Sequence, residues 1–216
     1  GMNENRPPRS GKIPYTIILI AAVAAGLGLW LGQSMFSDPS AQPPVENMRL
    51  LNAPRAIADF SLDTADGKAL DNAGLQGHYT LVFLGFTHCP DVCPMTLAEL
   101  AKAEKLWADL AHPQRPRILF VSVDPERDTP QAIAKYAAYF SPTILTGTSD
   151  TDTLNQLAAS MSMVFAKTPL DGDNYTIDHT SWVAVLNPQA HLVGFIPPPL
   201  DPTGIAADMK LLVKSR

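Results

Sequence analysis

The distribution of apolar residues divides the chain into two unequal parts. Ile13 to Gly32, IPYTIILIAAVAAGLGLWLG, is an unbroken uncharged run of about 20 residues, the length a helix needs to cross a hydrocarbon core. Tyr15 and Trp30 near its ends suit the interface, and Arg6, Arg9 and Lys12 precede it. The run is longer than the apolar region of a cleaved signal, and Gln33-Ser34-Met35-Phe36 is a poor cleavage site. The reading is a single-pass anchor in the cytoplasmic (inner) membrane. Residues 1–12 form a cytoplasmic N-terminus, 13–32 the transmembrane helix, and the C-terminal body is periplasmic. Residues 33–54, with Asp38-Pro39, Pro43-Pro44 and Pro54 and no apolar period, read as a Pro-rich linker.

The body, 55–216, alternates between short apolar runs and helical periodicities. Phe60–Leu62 and the Asp66-Gly67 turn open it with a hairpin. Thr80–Phe86 and Arg117–Val123 are continuous apolar runs rich in β-formers, as buried central strands are. Helices are expected from Pro94 to Leu110, from Thr129-Pro130 capped by Asp128 to about Phe140, from Asp150 or Thr151 to Ser160, and from Asp201-Pro202 to Val213. Further strands are expected at 143–146, 161–166, 182–186 and 192–196, with a polar loop at 167–174. This order predicts an α/β fold, a mixed sheet flanked by helices. A cysteine motif at the first strand–helix junction makes it thioredoxin-like.

Composition narrows the function. Charged residues make up only 17% of the chain against 46% hydrophobic, partly because the apolar run holds no charge. The net charge is −5, and the basic residues before the run leave the body more acidic still. An acidic body excludes nucleic-acid binding, which needs a basic stripe.

Only two cysteines occur, Cys89 and Cys93, in a C-x-x-x-C at the exit of a buried strand and the entry to a helix. Free amides and the dipole at a helix N-terminus favour an anion, so at least one thiol is expected to be acidified. Four residues put the second sulfur about one turn from the first. Outside the cytoplasm the pair is expected to form a reversible disulfide when metal-free. Thiolates are soft ligands that select Cu(I), zinc or iron–sulfur centres, and two sulfurs leave a metal short of donors. Five histidines compete for the third position; His179 in Tyr175-Thr176-Ile177-Asp178-His179 is a candidate, since in a thioredoxin-like sheet its loop faces the cysteine turn and Asp178 could orient its ring, and the family resemblance below implies the same residue. His88 projects away from a strand end, and His78, His112 and His191 lie beside turns. Asp124, in the polar cluster Val123-Asp124-Pro125-Glu126-Arg127-Asp128, is a candidate for the rim of the site. Met95, Met161 and Met163 read as packing rather than as thioether ligands. No residue is assigned as catalytic.

The strings FTHCPDVCP, VSVDPERDTP and YTIDHTS, in that order, resemble the Sco/SenC family of membrane-anchored, thioredoxin-fold copper proteins. The resemblance covers about residues 55–215. It implies a chaperone that binds one copper, Cu(I) or Cu(II), through Cys89, Cys93 and His179, with Asp124 close by. The implied partner is the copper-centre subunit of cytochrome c oxidase, or another periplasmic copper protein. It leaves open a thiol–disulfide oxidoreductase that keeps partner cysteines reduced, and a redox or copper sensor.

Overall fold

The computed structural model describes residues 14–36 and 42–215. They fall into two units, divided at Gln42 and Pro43. The first holds helix α1 (Tyr15–Phe36), 22 residues. Its stretch Tyr15–Gln33 has a mean hydropathy of 2.0 and buries nothing, so it is long and apolar enough to cross a membrane by length and composition. Ile13, the expected first residue of the span, lies outside the described residues. The helix runs on through Gln33–Phe36, four residues assigned above to the linker, because none of these four is a proline or glycine.

The second unit is a six-stranded mixed sheet in the order β1-β10-β9-β4-β5-β6. Its strands are β1 (Arg49–Ala56), β4 (Thr80–Gly85), β5 (Arg117–Ser122), β6 (Leu145–Gly147), β9 (Val183–Leu186) and β10 (His191–Ile196). The helices are α2 (Val92–Leu106), α3 (Pro130–Ala138), α4 (Thr151–Ser160) and α5 (Pro202–Lys214). Two further ribbons, β2 (Ser61–Leu62) with β3 (Leu70–Asp71) and β7 (Phe165–Pro169) with β8 (Tyr175–His179), stand apart from it. The expected fold, a thioredoxin-like mixed sheet with flanking helices, is the one observed.

Every residue of β4 is buried, as its unbroken apolar sequence requires of a strand covered on both faces. Phe83, Phe120, Leu97, Leu100 and Trp107 fill the core around it. Thr129 Oγ1 caps α3 by accepting from Ala132 N, and Asp150 caps α4 by accepting from Thr153 N at 2.9 Å. Capping by Thr129 corrects the expectation that Asp128 would serve; Asp128 is turned elsewhere.

Other boundaries also differ from expectation. The body begins near Pro43, not at 55, because β1 pairs antiparallel with β10 from Arg49↔Phe195 to Ala56↔His191. This strand is mostly exposed, contains Pro54 and shifts register between Leu50 and Arg55. An edge strand of that kind has no two-residue alternation to read. The segment before it is held by α5: buried Asp208 accepts Glu46 N at 3.2 Å and Asn47 N at 2.7 Å. Further along, Met161 and Met163 are buried in a turn, and the strand expected at 161–166 starts at Phe165. The expected 167–174 loop shrinks to the tip of a hairpin, since Lys167–Pro169 pair with Tyr175–Ile177.

Topology fixes where chemistry can be placed. β4 and β5 are parallel, so both end at one edge of the sheet. β9 is antiparallel to β4, with Val82↔Ala184 and Thr80↔Leu186, so β9 begins at that same edge. The turns after β4 and β5 and the segment entering β9 therefore converge.

Candidate metal centre

The turn after β4 carries the cysteines. Phe86 is buried, Cys89 N donates to Phe86 O at 3.3 Å, and α2 starts at Val92, two residues before Pro94. Cys93 thus sits within the first helical turn, fully buried, while Cys89 is half-buried. Cys93 N donates to Cys89 Sγ at 3.4 Å, so a free amide of the helix start serves a sulfur. Gly85 leaves room for this arrangement: a Cβ there would lie 2.9 Å from Cys93 Sγ.

His179 arrives from the other side as the last residue of β8, not on a loop. Its Nδ1 lies 3.0 Å from Thr180 O, and a carbonyl only accepts, so Nδ1 carries the proton. The Nε2 lone pair is left facing Cys93 Sγ at 3.5 Å. Phe83 and Phe86 hold the ring edge-on, with centroids 5.8 and 6.1 Å away. Cys89 Sγ, Cys93 Sγ and a His179 ring nitrogen all lie within 4.8 Å of one another, close enough to reach one ion together.

Burial sets the protonation of this trio. It pushes the Cys93 thiol well above its usual range, reinforced by the hydrogen bond with Cys89 and opposed by the Phe86 backbone. Cys93 is therefore not the thiol that the helix N-terminus was expected to acidify, because its burial disfavours the thiolate. Burial also pushes His179 below its ordinary value, with the Thr180 carbonyl and Asp178 opposing. The neutral imidazole is the form that can ligate. A soft cation that displaces the thiol protons would replace them with charge neutralisation in a buried place, which suits two sulfurs and an imidazole.

The acidic candidates are placed differently from expectation. Asp178 is exposed and accepts from Thr168 Oγ1 at 2.6 Å, across the β7–β8 ribbon; the ring of His179 is oriented by Thr180 O instead. Asp124 is buried and both its oxygens are engaged by other groups: Oδ1 accepts from Tyr175 Oη at 2.6 Å and Oδ2 from Arg127 Nε at 2.5 Å. It groups with His88 and Asp128, within 4.8 Å, and not with the sulfurs. Asp128 is the carboxylate that touches the cysteine turn. It accepts from Thr87 N at 2.9 Å and from Ser122 Oγ at 2.6 Å. His88 Nδ1 stands 3.5 Å from Asp128 Oδ1 with its side chain half exposed, outside the sulfur trio. Desolvation, then the hydrogen bond to Asp124, pushes the Tyr175 phenol up to about 12.

Sequence reasoning missed Thr180, Asp128, Arg127 and Tyr175. One signal was available: Tyr175, Ile177 and His179 are two apart, so a strand there puts all three on one face.

The SCO1/SenC family profile matches residues 49–214. The human mitochondrial SCO1 homologue is 28% identical over 194 residues, 89% of this chain and 64% of its own length, so the chain spans under two thirds of that relative. Among solved structures, copper-bound ScoI of Arabidopsis thaliana superposes with a TM-score of 0.66 at 32% identity, covering 74% of this chain and 98% of the other. Copper-bound ScoI of Bradyrhizobium japonicum gives 0.65 at 33% identity, covering 72% and 98%.

Proposed function

The chain belongs to the SCO1/SenC family, and from that premise we propose that it is a membrane-anchored periplasmic copper chaperone that carries one copper on Cys89, Cys93 and His179. Its recipient is the copper-centre subunit of cytochrome c oxidase or another periplasmic copper protein. The observation that carries this reading is the convergence of two sulfurs and a tautomer-fixed imidazole within 4.8 Å. Two thiolates and one imidazole satisfy Cu(I) at low coordination number, and Cu(II) adds a weaker donor from the open side of the recess. Phe86, Cys89, Asp91, Asp178 and His179 are among the residues that line that recess, so the cargo lies near the surface, where a recipient can reach it. Half-buried Cys89 is the sulfur an incoming ligand meets first.

The test is competition titration with Cu(I) and Cu(II) against a chelator of known affinity. Cys89→Ser and Cys93→Ser each abolish high-affinity binding, because a hydroxyl is a hard and weakly acidic donor. His179→Ala weakens Cu(II) more than Cu(I), since two thiolates alone hold a linear Cu(I). Parent-like binding of both states by His179→Ala would exclude His179 as a ligand.

The amide that Cys89 Sγ accepts from Cys93 supports a second reading, thiol–disulfide exchange through Cys89. Exchange needs no imidazole, so His179→Ala that loses copper but keeps disulfide reductase activity would favour it. For topology, an alkaline phosphatase reporter fused after Arg216 is expected to be active and membrane-bound. An inactive fusion would reverse the orientation, and a soluble periplasmic product would mean cleavage.

A further inference from the structure

The two halves of the copper site come from distant parts of the chain and are not joined by a common strand ladder. The cysteines hang on the turn after β4, and His179 ends a two-stranded ribbon outside the main sheet. A lone two-stranded ribbon is marginal by itself, so what aligns it matters. The turn 124–128 touches both halves. Toward the cysteines, Asp128 holds Thr87 N, and Ser122 Oγ locks the same carboxylate. Toward the ribbon, Asp124 accepts the Tyr175 hydroxyl at 2.6 Å and Arg127 Nη1 donates to Tyr175 O at 3.1 Å. The Arg127 guanidinium lies 3.6 Å over the Tyr175 ring and 5.9 Å from that of Phe86, so one side chain spans the ribbon and the cysteine turn. Lys167 covers Tyr175 at 3.9 Å and pairs with Glu126 at 2.7 Å, closing the clasp from the ribbon's other strand.

We propose that Tyr175 and Arg127 are positioning residues for copper: they fasten the β7–β8 ribbon, and with it His179, to the turn that holds the cysteine loop. The proposal rests on the reading of Cys89, Cys93 and His179 as the ligands. Tyr175 and His179 share one face of β8, so a displacement at one end of the strand moves the imidazole at the other. Asp124 acts through this clasp and not as a ligand, because each of its oxygens is already held. Outer residues that orient a ligating histidine are worth roughly 10- to 100-fold in metal affinity.

The experiment is a double-mutant cycle on the full chain, with Cu(II) and Cu(I) competition titrations and the electron paramagnetic resonance spectrum of the Cu(II) form. Tyr175→Phe keeps the ring between Arg127 and Lys167 and removes only the hydroxyl. It is expected to weaken Cu(II) by about tenfold or more, to weaken Cu(I) less, and to move the Cu(II) spectrum toward that of His179→Ala. In the His179→Ala background the same change adds nothing. Arg127→Lys, which keeps the charge but loses the fork and the stacking, gives the same pattern and decides the matter if Tyr175→Phe fails to fold. Equal losses in both backgrounds, or no loss in either, overturn the clasp while leaving the ligand assignment standing. Parent-like copper binding by His179→Ala overturns the ligand assignment and the clasp with it. A Cu(II) spectrum that changes with Asp124→Asn even in the His179→Ala background would make Asp124 a ligand and end the proposal.

Discussion

Cys93 Sγ and His179 Nε2 stand 3.5 Å apart although 86 residues separate them in the chain. The contact follows from strand direction. β4 runs toward the site, β9 runs away from it, and the segment that enters β9 delivers the histidine. Phe83 and Phe86, both buried, pack against the ring in edge-to-face contacts.

The two thiols should react unequally. Cys93 is fully buried and its thiol is pushed up, whereas Cys89 is half-buried and accepts an α2 amide. Iodoacetamide on the reduced, metal-free protein is expected to label Cys89 first, by about tenfold or more over Cys93. Peptide mass spectrometry reads the ratio. Equal labelling would mean that the cysteine turn opens in solution.

Acid should weaken the metal-free protein partly through His179. Burial lowers its folded-state pKa below the ordinary 6.5. Between the two values the unfolded chain binds more protons than the folded one, so stability rises with pH across that window and falls on acidification through it. Urea midpoints from pH 7.5 to pH 5 are expected to decline for the parent and to decline less for His179→Ala. Parallel profiles would show that the imidazole is not desolvated. Copper affinity falls in the same direction, because protons compete for every ligand.

How much of this was legible in the sequence depends on what each element buries. β4 and β5 are covered on both faces, and their apolar runs say so. The edge strand β1 and the ribbon β7–β8 carry no such run: in the sequence β1 reads mostly as the end of the linker, and β7–β8 as the tail of a strand at 161–166 followed by a loop. Cys89, Cys93 and His179 were named from residue chemistry and family resemblance, and the structure brings them together. Which acid does what was not legible. Asp124 and Asp128 lie four apart in one turn, and only the direction of that turn sends Asp128 to Thr87 and Asp124 to Tyr175. Thr180 acts through its backbone carbonyl, which no side-chain motif can reveal.

The attachment of the segment before β1 to α5 should be a stability determinant. Asp208 is 3% exposed and accepts two backbone amides, those of Glu46 and Asn47. Asp208→Ala leaves both donors without their carboxylate and is expected to cost about 1–3 kcal/mol. Chemical denaturation measures it, and a loss within ±0.5 kcal/mol, the range of an ordinary surface change, would mean that water replaces the carboxylate freely.

Gly85 tests how tightly the cysteine turn is packed. It ends β4 at a position where an added Cβ would lie 2.8 Å from Phe120 Cε2, 2.9 Å from Cys93 Sγ and 3.2 Å from Phe83 Cε1. Phe83 and Phe120 are fully buried and stack on each other at 6.1 Å, so neither ring has space to retreat. The sulfur is the neighbour that must move, and with it the first turn of α2. Gly85→Ala is therefore expected to cost about 1–3 kcal/mol by overpacking. It should also weaken Cu(I) in a chelator competition at a temperature where the variant remains folded, because Cys93 no longer points at the shared position. Stability lost without any loss of copper would show that the rings yield instead of the sulfur. Parent-like stability would show that the turn has slack and that its geometry is set from elsewhere.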